Sequence, residues 1–181
     1  AYLSYVGHRL GDPELATDGV RERLRARMAE LTGNRLHPMA VRLGGIACEP
    51  TPAWEAAEVA TLAEASELAE RVTEALDGGL GAGLAVVDAA AVNAHGLAGP
   101  TARASGLATD LRRGWGPYAE HGDLLQTGAP VTGDAAARFR HWAGEVRTSA
   151  ALVARLLGGL PSGGLRAHLP KVVKLPEGDH T

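Results

Sequence analysis

The stretch Gly133–Gly159, GDAAARFRHWAGEVRTSAALVARLLGG, decides the fold class. Its apolar residues Phe139, Trp142, Val146, Ala150, Val153 and Leu157 recur at steps of three and four, the period of one helix face. Asp134 stands where an N-cap belongs, and Gly158-Gly159 with Pro161 stop the helix. Toward the N-terminus the same grammar repeats. Pro52–Trp54 opens a second long helix with the stripe Val59, Leu62, Ala65, Ala69, Val72 and Leu76. Glu55, Glu58, Glu64, Glu67 and Glu70 run beside that stripe as a face expected to be solvated, and Gly78-Gly79 ends the helix. Asp12-Pro13-Glu14 reads as a further start, leading into Val20, Leu24, Met28 and Leu31 and closing at Gly33. Ala1–Leu10 looks like the middle of a helix with no cap before it, and Asp88 caps a short Ala-rich helix that ends at Gly96. Alternating Val/Ile/Thr runs, the mark of strands, are almost absent. The expectation is a mostly α fold, a helical bundle with Gly/Pro-rich loops, as a single helical domain over residues 1–181.

Composition narrows the function from the other side. The chain has 181 residues, 45% hydrophobic and 22% charged, which is globular rather than disordered. A formal charge of −3 argues against nucleic acid as a partner. One cysteine excludes a disulfide framework and any Cys-only metal site within the chain. No stretch approaches the ~20 apolar residues of a membrane span, and Ala1–Leu10 holds no apolar run of signal-peptide length. The 24 glycines stand against a single Phe.

Generic motifs add little. Gly79-Leu80-Gly81-Ala82-Gly83 lacks the preceding strand of a dinucleotide loop, so a flexible link between helices is expected. No two of the seven histidines sit at a metal spacing, and Cys48 reads as an inert thiol. His37, four residues after Gly33, has two readings: a proton-handling group titrating near neutrality, or a cap on the preceding helix.

Two segments and a third piece carry more. The first is Gly33-Asn34-Arg35-Leu36-His37 with Arg42-Leu43-Gly44-Gly45-Ile46. The second is Gly96-Leu97-Ala98-Gly99-Pro100-Thr101-Ala102-Arg103-Ala104-Ser105-Gly106, continuing to Asp110-Leu111-Arg112 and Pro117-Tyr118. The third is Gly133-Asp134 with Arg138, Glu145, Arg147 and Ser149, then Leu160-Pro161. In this order they resemble the family shared by the quinone-site large subunit of respiratory complex I and the large subunits of membrane-bound [NiFe]-hydrogenases. The resemblance covers nearly the whole chain from about Gly33. The tail, Leu169-Pro170-Lys171-Val172 to Pro176-Glu177-Gly178, resembles the hydrogenase branch more.

The resemblance implies the central part of a [NiFe]-hydrogenase large-subunit-like fold. It implies a role as scaffold in a membrane-associated NADH:quinone oxidoreductase or hydrogenase complex. Electrons there pass from iron–sulfur clusters to quinone, or to protons at a [NiFe] centre. The implied partners are an iron–sulfur small subunit and membrane subunits, in a complex peripheral to the membrane on the cytoplasmic side. A non-catalytic helical assembly module derived from the family is the alternative. Arg103, Ser105, Gly106, Asp110 and Arg112 form the candidate site-lining loop, with His37 the candidate proton handler. Arg103, Asp110 and Arg112 can form an ion network that is either purely structural or functional.

The departures bear on activity. The family's [NiFe] centre needs two Cys-x-x-Cys pairs, and neither occurs here. The quinone-headgroup His and Tyr belong to an N-terminal region that this sequence lacks, and Ala40 stands where the family often has an aromatic residue. The chain as given is therefore expected to be a fragment of a longer subunit, without metal, quinone or turnover of its own. An apolar patch on its helices, where the rest of the complex would pack, is expected too.

Overall fold

A computed structural model describes residues 2–114, 116–125 and 130–171. Trp115 and the tail from Val172, with the Pro176-Glu177-Gly178 part of the family pattern, lie outside the described residues. The architecture is the expected helical bundle. Its spine is α3 (Pro52–Ala75) laid antiparallel against α6 (Ala135–Leu157). Arg140 near the start of α6 donates to the Leu76 carbonyl and to Asp77, both at 3.0 Å, and Arg147 pairs with Glu70 at 3.7 Å. On another side α2 (Asp18–Thr32) runs antiparallel to α3, tied by Arg23–Glu64 and by Trp54 Nε1 donating to the Arg27 carbonyl at 2.8 Å. The first helix, α1 (Tyr2–Leu10), closes one end. Val6, Leu15, Val72 and Leu76 form the core there, against Leu3, Leu80 and Phe139. A second cluster joins Val20, Ala65 and Leu68.

Several expectations are corrected. Asp12 does cap, accepting from the Glu14 N–H at 2.8 Å, but it caps only the single 3-10 turn Pro13–Leu15. Leu15 is buried there, and its carbonyl packs where a Cβ on Gly7 would sit, so the chain turns and α2 starts only at Asp18. In α3, Val59 is 41% exposed while Glu58, read as part of a solvated face, is 7% exposed. The inward stripe thus begins at Glu58 and continues through Leu62, Ala65, Ala69, Val72 and Leu76. The segment around Gly99-Pro100 holds a short helix, α5 (Gly99–Ala104), after α4 (Ala89–Ala94).

In α6 the apolar stripe is only part of the story. Of its six members, Ala150 alone is buried, while Ala137, His141, Gly144, Thr148 and Leu152 form a second, more deeply buried line. Small residues there let α5 and its flanking loops approach α6 closely. The Gly79–Gly83 link is no loose connection either. Gly83 N–H donates to Asp134 at 2.9 Å, and the Ala135 and Ala136 amides bond to the carbonyls of Leu84 and Gly81 at 2.9 and 3.2 Å. The loop satisfies the amides that every helix start leaves unpaired.

One small sheet completes the fold. Val41–Arg42 (β1) and Gly45–Ile46 (β2) pair antiparallel around Leu43-Gly44. The distant stretch 165–167 pairs with β2: Ile46 N–H donates to the Leu165 carbonyl at 3.0 Å, and Ala167 N–H to that of Gly44 at 2.8 Å. Exposed apolar side chains occur on the helices, Tyr5 of α1 and Val59 of α3 among them, but more exposed ones lie on and beside this hairpin. Leu36, Met39, Val41 and Leu43 are 71%, 67%, 80% and 78% exposed. The helices also contribute a half-open groove of about 500 Å³ between α2, α3 and α6, walled by Leu24, Leu62, Trp142, Val146 and Val153. No helix among the described residues is long and apolar enough to cross a membrane.

Candidate functional site

The candidate loop is built from the end of α5 outward. α5 has Pro100 in its first turn and stops at Ser105-Gly106. Gly106 has φ +89°, and Leu107 N–H returns to the Ala102 carbonyl at 3.0 Å. The buried Ser105 hydroxyl lies 2.7 Å from the Val87 carbonyl and 3.1 Å from that of Thr101. Ser105 and Gly106 therefore fix the exit of the helix and leave the charges to others.

Those charges meet in a square. Asp110 accepts from Arg112 Nε at 2.9 Å, from its Nη2 at 2.6 Å and from its backbone N–H at 3.1 Å. Arg112 Nη2 also reaches both oxygens of Glu145 on α6, at 3.2 and 3.0 Å. Arg103 donates to the same carboxylate and lies 3.8 Å from Asp110. The Asp110 side chain is 5% exposed and those of Arg103 and Glu145 are 15% and 18%. The guanidinium of Arg112 holds the Asp110 carboxyl below the usual carboxylate range, and Asp110 in turn raises Arg112. Two cations and two anions cancel. Each member is paired with an opposite charge, and the pairs tie the loop after α5 to α6. Arg155 to Asp123, twice at 3.0 Å, is a second tie between α6 and the same region.

His141 lies one helical turn before Glu145. It is 4% exposed, with Nε2 3.1 Å from the Pro130 carbonyl. Burial lowers its pKa and Arg103 adds to that, while the Pro130 carbonyl and Glu145 oppose it. His37 stands apart: it is exposed, with φ +44°, in a turn where its N–H bonds to the Asn34 carbonyl at 3.1 Å. α2 itself closes on Gly33, whose N–H bonds to the Ala29 carbonyl at 2.8 Å, and His37 lies in the turn beyond it. Thus the structure brings together Arg103, Asp110 and Arg112 of the predicted site and leaves His37 outside it. Spacing alone does not reveal Glu145 as their shared partner, since it arrives from another element.

The chain matches the family described as "Respiratory-chain NADH dehydrogenase, 49 Kd subunit" over residues 14–180. The chain belongs to this family. Among similar proteins, a D-type subunit of the NADH-quinone oxidoreductase of Streptomyces griseus is 37% identical over 172 residues, 89% of this chain and 43% of that protein. Its counterpart in Streptomyces coelicolor is 34% identical, over 89% of this chain and 44% of that protein. This 49 kDa-family chain therefore spans less than half the length of those relatives. Its fold is similar to a chain of an archaeal membrane-bound sulfane sulfur reductase, with TM-score 0.75, 24% identity, and coverage of 97% of this chain and 49% of that one.

Proposed function

We propose that this chain is the central helical scaffold of the large subunit of a membrane-associated NADH:quinone oxidoreductase-type complex. It lies on the cytoplasmic side, peripheral to the membrane, against an iron–sulfur small subunit. The parent moves electrons from iron–sulfur clusters to quinone. The observation that carries the reading is the Arg103–Glu145–Arg112–Asp110 square, assembled from residues of the family pattern. NADH-quinone oxidoreductase relatives at up to 37% identity favour quinone as the acceptor over protons at a [NiFe] centre.

The residues present do not fit the parent's metal groups. An iron–sulfur cluster is held by four ligands, mostly thiolates, and this sequence has Cys48 alone. Among the described residues no cluster of three His, Cys, Asp or Glu could hold a metal ion. No step is therefore routed through these groups. What this chain supplies is position: α6 and the loop after α5 are locked to one another, so a partner docked on one is held in register with the other. His37, exposed on its turn, is the candidate for exchanging protons with solvent.

The test is purification of the membrane complex from cells through a tag on this chain. NADH:quinone reductase activity and reduced iron–sulfur signals in electron paramagnetic resonance are expected to copurify. A chain that purifies free of any iron–sulfur protein overturns the reading and leaves an assembly module.

A further inference from the structure

Glu58 is the anomaly of the helical core. It heads the inward stripe of α3, a position filled by Leu62, Ala65, Ala69, Val72 and Leu76 further along. The residue is only 7% exposed, and its Oε2 has no hydrogen-bond partner among the described residues. That oxygen is sealed from solvent, which leaves no room for a hydrated cation beside it.

Cations on the two helices packed against α3 are already committed. From α2, Arg27 is the one cation whose field reaches Glu58, and it is bonded to Glu30. Arg23 of α2 is bonded to Glu64 of α3. From α6, Arg147 pairs with Glu70 and Arg155 with Asp123. On its own helix the nearest ionisable neighbour is Glu55, a like charge one turn earlier. An ionised carboxylate with one oxygen sealed and without a hydrogen-bond partner is costly, and a proton removes that charge.

We propose that Glu58 is a proton-binding latch in the α2–α3 seam: the seam closes on the neutral acid and loosens when the acid ionises. Burial raises the Glu58 carboxyl above its ordinary value of 4.5, and Arg27 opposes that only in part. The sign follows. Between that ordinary value and the raised folded value the folded chain holds a proton that the unfolded chain has released. Stability is then full below the ordinary value and falls as pH rises, by up to about tenfold in the folding constant per pH unit. Above the folded value the loss stops growing.

The test measures urea unfolding and hydrogen exchange of α2 amides in the purified chain from about pH 5 to about pH 8. Glu58→Gln keeps the shape and removes the titration. It is expected to match the wild type at the acid end, to exceed it in stability at the alkaline end, and to lose the pH-linked exchange of α2. Arg27→Met leaves Glu58 in place and removes the opposing cation, so its stability loss is expected to extend to higher pH. The side-chain carboxyl carbon resonance of Glu58 is expected to titrate above the ordinary glutamate range. A Glu58→Gln profile parallel to the wild type, or a Glu58 resonance that titrates at the ordinary value, overturns the proposal.

Discussion

Glu145 takes both guanidiniums of the square on a single carboxylate, so its loss leaves Arg103 and Arg112 half-buried beside Asp110 alone. Glu145→Gln is expected to lower stability by about 3 kcal/mol, read from urea denaturation, because breaking one partner of a buried pair strands the others. Asp134 poses a different case. It accepts from Ala137 N–H at 2.8 Å and Gly83 N–H at 2.9 Å, and these bonds hold its carboxyl below the ordinary 3.8. Its stabilisation is therefore present above that ordinary value and is lost as pH falls through the lowered one. Asp134→Ala is expected to cost about 1–2 kcal/mol at neutral pH and to shrink the acid-unfolding limb seen by circular dichroism. The capping role of Asp134 was legible because a cap acts on its own helix within three residues. The role of Glu145 was not, because its partners are 33 and 42 residues away.

At the scale of elements, α6 shows what periodicity sees and what it overlooks. The stripe from Phe139 to Leu157 predicted a helix and its place in the bundle, and both hold. The deeper line through Ala137, Gly144 and Thr148 is too weakly hydrophobic to register, yet it is where α5 and its loops come close. Glu58 inverts the lesson: a charged residue at a stripe position reads as surface, and only the neighbouring helices bury it. The junction before α6 is equally demanding. Gly133 has φ +71°, its N–H bonds to the Ala104 carbonyl at 2.7 Å, and any Cβ would strike the Val87 carbonyl. Gly133→Ala is expected to cost more than about 1 kcal/mol, seen as a lowered Tm, with the 81–87 loop losing hydrogen-exchange protection at the same time.

For the molecule as a whole, the bundle was legible in its three long helical patterns and the N-terminal stub, while the hairpin was not. Two-residue strands give no alternation to read, and β2 needs the stretch near Leu165 to complete it. The same hairpin carries highly exposed apolar side chains, Val41 and Leu43. The double variant V41K, L43K is expected to bind less of an apolar reporter dye while its Tm stays nearly unchanged, since exposed positions contribute within about ±0.5 kcal/mol each. On the proposed assignment to a membrane complex, the same variant is expected to weaken retention of partner subunits.

The bond between Gly44–Ile46 and Leu165–Ala167 also orders events in time. Most of the helical bundle is threaded between these two stretches, so a ribosome must finish α6 before the hairpin can gain its third strand. While the nascent chain grows, β1 can pair with β2, but the outer edge of β2 waits for Leu165–Ala167. Closure of that edge is thus a late event in the life of the chain, and it pins the segment beyond α6 to the one that precedes α3.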